Sequence, residues 1–243
     1  MTRPDTAGPD RAAASQPGHG LTGVADAGAF LARLVRLDPG ALVRLRPGGA
    51  PGRVALWARL PWQALVVRTV AGGPTDGTAV DVTVSAAQLL AELERGGVTL
   101  PAPRDAQWQW PLPPARSQPV EVLPTAELRR IADAAAGALR AASEQGVAGR
   151  AVGQRALRDA LLDHVAVLVT PDDPPGPPVE VSQRLVQGLV RMGFLGPADG
   201  AARSQVQVRV AGRWVGLVGP YGATWLQKAT DLGLTPLNTR TNG

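Results

Sequence analysis

The sequence predicts an α+β protein: an N-terminal antiparallel sheet with helices, followed by a winged-helix-like helical domain with a β-hairpin. Three observations carry this. Residues 41–84 fall into short runs of alternating apolar and polar residues broken by Gly, Pro and Asp, the pattern of an antiparallel meander. Ser85 and Gln88 have the spacing of a capping box at the start of a helix. Val181–Leu226 then reads as a short amphipathic helix followed by two strands around a tight turn.

Taken in order, residues 1–22 are rich in Pro, Gly, Ala, Asp and Ser without periodicity, and read as a disordered tail. Residues 23–100 form the expected sheet domain. Phe30, Leu31, Leu34 and Val35 share one face of a helix over Asp26–Leu37, stopped by Pro39-Gly40. Strands follow over 41–46, 53–60, 64–70 and 79–84, then a helix over Ser85–Glu94 closed by Gly96-Gly97. Residues 101–120, Pro-rich around Trp108-Gln109-Trp110, read as an extended linker between domains. Residues 121–230 form the second expected domain. A stripe of Leu128, Ile131, Ala135 and Leu139 marks one helix, and Leu157, Leu161, Val165 and Leu168 mark a second over Gln154–Val169. A Pro-rich loop, 171–180, leads to a third helix with Ser182 as N-cap and Val181 packed on Val186. Gln205–Val210 and Arg213–Val218 make the hairpin, and 231–243 reads as a frayed tail.

Composition excludes several functions. The chain has 243 residues and no cysteine, which rules out disulfides, thiol catalysis and Cys-ligated zinc. No apolar run approaches a membrane span, and the N-terminus lacks the apolar core of a secretory signal, so a cytoplasmic protein without membrane contact is expected. Only His19 and His164 could serve as imidazole bases, and neither has a named partner acid, nucleophile or metal set. No phosphate-binding glycine loop follows a strand and opens a helix. The expectation is a non-enzyme with no catalytic residue, no metal and no cofactor. The Arg, Ala, Gly and Pro bias, with Lys228 the sole lysine, is that of a GC-rich genome.

The remaining signal is basic charge, in two patches of net charge +5 overall. Simple strand register places Arg44, Arg46, Trp57 and Arg59 on one side of the sheet, a surface for phosphate contacts and base stacking. Arg184, Gln187 and Arg191 fall opposite the apolar stripe of the third C-terminal helix, and Arg209 and Arg213 lie on the hairpin. The helix order and helix-to-hairpin spacing over about residues 122–226 resemble the winged-helix superfamily. That resemblance implies that Arg184, Gln187 and Arg191 enter a DNA groove while Arg209 and Arg213 touch phosphate. The whole chain is also similar to conserved actinobacterial proteins of unassigned function. The expected function is therefore nucleic-acid-binding or regulatory, with DNA as partner and a homodimer as the candidate assembly. The alternative is a protein–protein interaction adaptor that does not bind nucleic acid.

Overall fold

In the computed structural model, residues 18–73, 81–145, 153–171, 175–197 and 205–228 are described. The expected tail 231–243, most of the tail 1–22, and residues 172–174 of the Pro-rich loop lie outside them. One eight-stranded antiparallel sheet organises the chain, in the order β4-β1-β2-β3-β10-β9-β8-β5. The first half supplies α1 (Val24–Leu37), β1 (Leu42–Pro47), β2 (Arg53–Arg59), β3 (Leu65–Ala71), β4 (Val82–Ser85) and α2 (Ala86–Glu94). The second half supplies β5 (Gln118–Pro124), α3 (Thr125–Gln145), α4 (Gln154–Asp163), β6 (Val165–Val169), β7 (Val179–Ser182), α5 (Gln183–Arg191), β8 (Gln205–Ala211), β9 (Trp214–Gly219) and β10 (Gly222–Gln227).

The strand order is a palindrome. In each half, a helix (α1 or α5) leads into a three-stranded meander, and a further strand followed directly by a helix (β4–α2 or β5–α3) pairs along the meander's outer side. Within the sheet the halves pair through β3 and β10, in a register of three pairs: Leu65 with Trp225, Val66 with Thr224, and Val67 with Ala223.

Period-2 alternation explains the two faces. Val43, Leu45, Val54, Leu56, Ala58, Val66, Val70, Val206, Val208, Val215 and Leu217 point to the helical side and are buried there with Phe30, Leu31, Leu34, Leu89, Leu185, Val186 and Leu189. The opposite face holds a second cluster of Leu65, Ala211, Trp214, Ala223 and Trp225, covered by Trp108. Local signals place the helices well. Ser85 Oγ accepts from the Gln88 amide and Ser182 Oγ accepts from the Arg184 amide, each satisfying an orphan donor of the first turn.

The winged-helix assignment is corrected by this topology. The β8–β9 hairpin is not a free wing. Both strands are internal to the sheet, β8 paired with β5 and β9 with β10. The helix expected over Gln154–Val169 stops at Asp163, and His164 turns the chain into β6. The run Val-Ala-Val-Leu-Val is a poor helix continuation and pairs instead with β7, which begins at the end of the expected Pro-rich loop. β5 and β10 are strands the sequence pattern does not announce: β5 begins inside the Pro-rich segment, and β10 follows a Gly-Pro-Tyr-Gly turn. Residues 18–22, assigned to the tail, pack as well. His19 is 3 % exposed; its Nδ1 accepts from the Leu21 amide and its Nε2 lies 3.1 Å from Gly97 O, so Nε2 carries the proton.

α5 lies against β10 because Gly188 allows it. A Cβ there would stand 2.7 Å from Thr224 Cγ2, and the Thr224 side chain is fixed by its hydroxyl donating to Leu185 O. Alanine is the better helix former by about 1 kcal/mol, but overpacking a fixed β-branched side chain costs about 1–3 kcal/mol. Gly188→Ala is therefore expected to lower the melting temperature, and Thr224→Ser, which removes the opposing methyl, to restore part of the loss. A rise in melting temperature for the single variant would show that the helix–strand contact is slack.

Candidate docking site

The first basic patch lies on one face of the sheet, while the second is split, its α5 residues on the helical side and Arg209 on the side of the first patch. Arg44, Arg46, Trp57 and Arg59 do share a face, since Arg44 pairs with Trp57 and Arg46 with Ala55 across β1 and β2. That face is crossed by the Pro-rich segment after α2, which acts as a strap. It is pinned to β4, where the Arg104 amide donates to Thr83 O and the Thr83 amide donates to Asp105 Oδ1 at 2.6 Å. Trp108 then packs into the second cluster, with its Nε1 donating to Trp110 O at 2.7 Å and its ring edge-on to Trp110 at 5.4 Å. Arg59 stacks over Trp110 at 4.8 Å and Arg44 over Trp108 at 6.0 Å. Burial lowers the Arg59 pKa from its ordinary value.

Asp81 accepts from Arg44 at 2.7 Å and from Arg46 at 3.1 Å. Its hydrogen bond from Arg44 holds its carboxyl below the usual range, and the same bond raises Arg44. A carboxylate depressed by folding adds stability that is present above its unfolded value, and that stability is lost as pH falls through the folded one. Urea unfolding should thus show wild-type stability falling more steeply than that of Asp81→Asn as pH drops below about 4. Solvent screening keeps the difference to about 1 kcal/mol or less. Parallel curves for the two proteins would exclude this contribution.

On the helical side, Arg184 was expected to face solvent opposite the apolar stripe. Instead its side chain is 16 % exposed. Its guanidinium pairs with Asp163 at 2.7 Å and donates to Trp62 O at 2.6 Å, while Trp62 Nε1 donates to Arg184 O at 3.0 Å. It ties α5 to the end of α4 and to the β2–β3 turn. Arg209, on the strap side, donates to Ser117 Oγ at 2.8 Å and to Ser117 O at 2.6 Å; Arg213 donates to Lys228 O at 3.0 Å. The helix and hairpin residues therefore form no common surface.

Gln187 and Arg191, one turn apart on α5, do border a pocket. It is a cavity of about 280 Å³ between α3, α4, α5 and the β2–β3 turn. Ala136, Leu139, Leu161, Leu162 and Trp62 give its apolar walls, and Arg140, Arg158 and Arg191 join Gln187 as its polar lining. Among the described residues no Asp or Glu lines it. The three arginines are exposed and have no ion-pair partner among the described residues, although Arg155–Asp159 and Arg184–Asp163 pair nearby. The Leu139 and Leu161 stripes were legible as helix faces. That their outer ends converge beside Arg191 was not, because this depends on how three helices cross. A second cavity of about 460 Å³ lies by Asp26, Arg33, Arg68 and Tyr221, but Arg68 is already paired with Asp26 at 2.7 Å. Among the described residues no three His, Asp or Glu side chains are grouped to hold a metal, and no helix is long and apolar enough to cross a membrane.

Comparison with known proteins agrees with the sheet rather than with a winged helix. Residues 20–110 match the family described as a domain of unknown function, DUF8010, and residues 112–231 match another so described, DUF8185. No curated protein matches the chain. Among solved structures, the DNA polymerase III beta protein of Caulobacter crescentus is similar at a TM-score of 0.51 and 13 % identity, over 84 % of this chain and 63 % of that one. The DNA polymerase beta subunit of Streptococcus pyogenes is similar at 0.51 and 12 % identity, over 84 % and 62 %. A C. crescentus beta sliding clamp with polyethylene glycol at the region proposed there for beta-motif tethering gives 0.50 and 12 % identity, over 85 % and 63 %. The chain thus spans less than two thirds of the length of these proteins. The nucleic-acid reading, built on a recognition helix and wing and on the Arg44/Arg46/Trp57/Arg59 face, is corrected together with that fold. The fold is similar to that of bacterial DNA polymerase sliding clamps.

Proposed function

We propose that the protein is a non-enzymatic protein-interaction platform with a sliding-clamp-like fold, serving partners of the DNA replication machinery. The carrying observation is the fold itself, one continuous eight-stranded sheet with helices on one side, similar at a TM-score of 0.51 to the beta subunits. The docked basic side chains support it. Arg44, Arg46, Arg184, Arg209 and Arg213, the residues a phosphate backbone would need, are each bonded within the chain. A homodimer, if formed, uses a surface other than the sheet edges. Thr83 on β4 is bonded to the strap, and β5 carries Pro119, Pro124 and a bulge, devices that discourage strand addition.

The test pairs a titration with a capture. Fluorescently labelled duplex and single-stranded DNA at about 50 mM salt should give no saturable binding, since affinity from phosphate neutralisation falls with salt at about −0.9 per contact. Crosslinking of the tagged, nuclease-treated chain should recover replication proteins at moderate salt. Tight, salt-sensitive DNA binding with no protein recovered would sink the platform reading.

A further inference from the structure

We infer that the cavity beside Arg33 and Tyr221, at the junction of the two halves, binds a small molecule carrying one flat ring and one anionic group. It is built on other elements than the pocket between α3, α4 and α5, and it does not depend on the platform reading.

The cavity holds about 460 Å³, within the range of about 300–1,000 Å³ of small-molecule sites. Both halves build it: α1 and β3 from the first, the segment just after α5 and the β9–β10 turn from the second. Phe30, Met192 and Phe194, each 1 % exposed, form an apolar floor. Gly193 and Gly196 give a wall without side chains, and their φ values of +69° and +75° favour glycine at both positions. The Tyr221 ring, 45 % exposed, stands at the rim. Bare backbone, an aromatic rim and an apolar floor fit a flat ring.

Charge supplies the second requirement. Arg68 donates to Tyr221 O and pairs with Asp26 at 2.7 Å, the one carboxylate of the lining among the described residues. Its Nε–H is buried without a partner, so Asp26 does not saturate this guanidinium. Arg33 has only a long hydrogen bond of 3.5 Å to Ala29 O on its own helix, and no ion pair among the described residues. Its guanidinium lies over Gly193, where a Cβ would stand 2.9 Å from Arg33 Cζ. Two guanidiniums against one carboxylate leave one positive charge in the cavity. A single anionic group answers it with charge-assisted hydrogen bonds. A ring alone leaves Arg33 without a partner, and an anion alone leaves the floor unfilled.

The experiment titrates the full chain by calorimetry with two sources of this chemistry, adenosine monophosphate and 2-naphthoate. Adenosine, the ring without the anion, and inorganic phosphate, the anion without the ring, are the controls. At least one of the two probes should bind saturably, and the tighter one names the source. Each control should be weaker by about tenfold or more, since a hydrogen bond to a charged group is lost or the floor stays wet. Because the ligand joins walls from both halves, a concentration of about a hundred times Kd should raise the melting temperature by roughly 5–11 °C. Arg33→Gln changes an exposed position, so the free chain should melt as wild type does while binding falls about tenfold or more. Ala29→Trp, also at an exposed position, should fill the cavity and weaken binding without a change of charge. The assignment is overturned by any of three results: no saturable binding of either probe up to millimolar concentration, a control that binds as tightly as the probes, or unchanged affinity in Arg33→Gln. None of these results bears on the capture of replication proteins, so the platform reading stands or falls separately.

Discussion

Trp108→Ala should lower the melting temperature by roughly 6–20 °C. Removing a buried indole costs about 3–5 kcal/mol, and a chain of this length shifts by about 2–4 °C per kcal/mol. Trp108 is 9 % exposed, sits among Leu65, Ala211, Trp214 and Trp225, and supports Trp110 through both a ring contact and a hydrogen bond. Its loss undocks the strap from the sheet's second face. The same variant should therefore become sensitive to limited proteolysis between residues 101 and 117, where the wild type resists. A variant as stable and as protease-resistant as wild type would mean that the indole's burial contributes little and that the strap is held by the Asp105–Thr83 contact alone.

The second large effect is expected at Phe30. Its ring, 1 % exposed on α1, stacks parallel to that of Phe194 just beyond α5, with centroids 6.3 Å apart. This pair joins the two halves on the helical side, above the short β3–β10 junction. Phe30→Ala should cost about 3–5 kcal/mol. Combined with Phe194→Leu, it should show a coupling of about 0.5–1.5 kcal/mol in a double-mutant cycle. Strict additivity would mean that each ring packs on its own half independently.

Sequence reading succeeded where the cause is local. The Ser85 and Ser182 caps, the apolar stripe of Leu185, Val186 and Leu189, and the alternation in β1, β2, β3 and β8 all follow from side chains within a few residues of one another. It failed where partners are distant. β10 is a strand because Thr224 and Trp225 meet Val66 and Leu65 from the other end of the chain. Without that pairing, β8 and β9 look like an isolated hairpin, and a helix followed by an isolated hairpin looks like a wing. Of the residues singled out for binding, Gln187 and Arg191 border the candidate pocket, while Leu139 and Leu161 read only as helix faces and nothing in the sequence points to Arg140 or Arg158. Arg184 was placed on an outward helix face, and nothing in its neighbourhood in sequence announces Asp163 or Trp62 as its ligands.

The three-pair junction also governs biosynthesis. β3 ends at Ala71, and its partner β10 begins only at Gly222, so nearly the whole second half must leave the ribosome before the sheet can close. Until then the nascent first half carries an unpaired edge strand, Leu65–Ala71, with Val66, Val67 and Val70 along it, and such apolar edges recruit other chains. Closure between such distant segments is slow by topology alone. Translation that stalls between these strands leaves that edge bare, so the yield of soluble protein depends on the speed of the C-terminal strand's arrival more than on the stability of the finished fold.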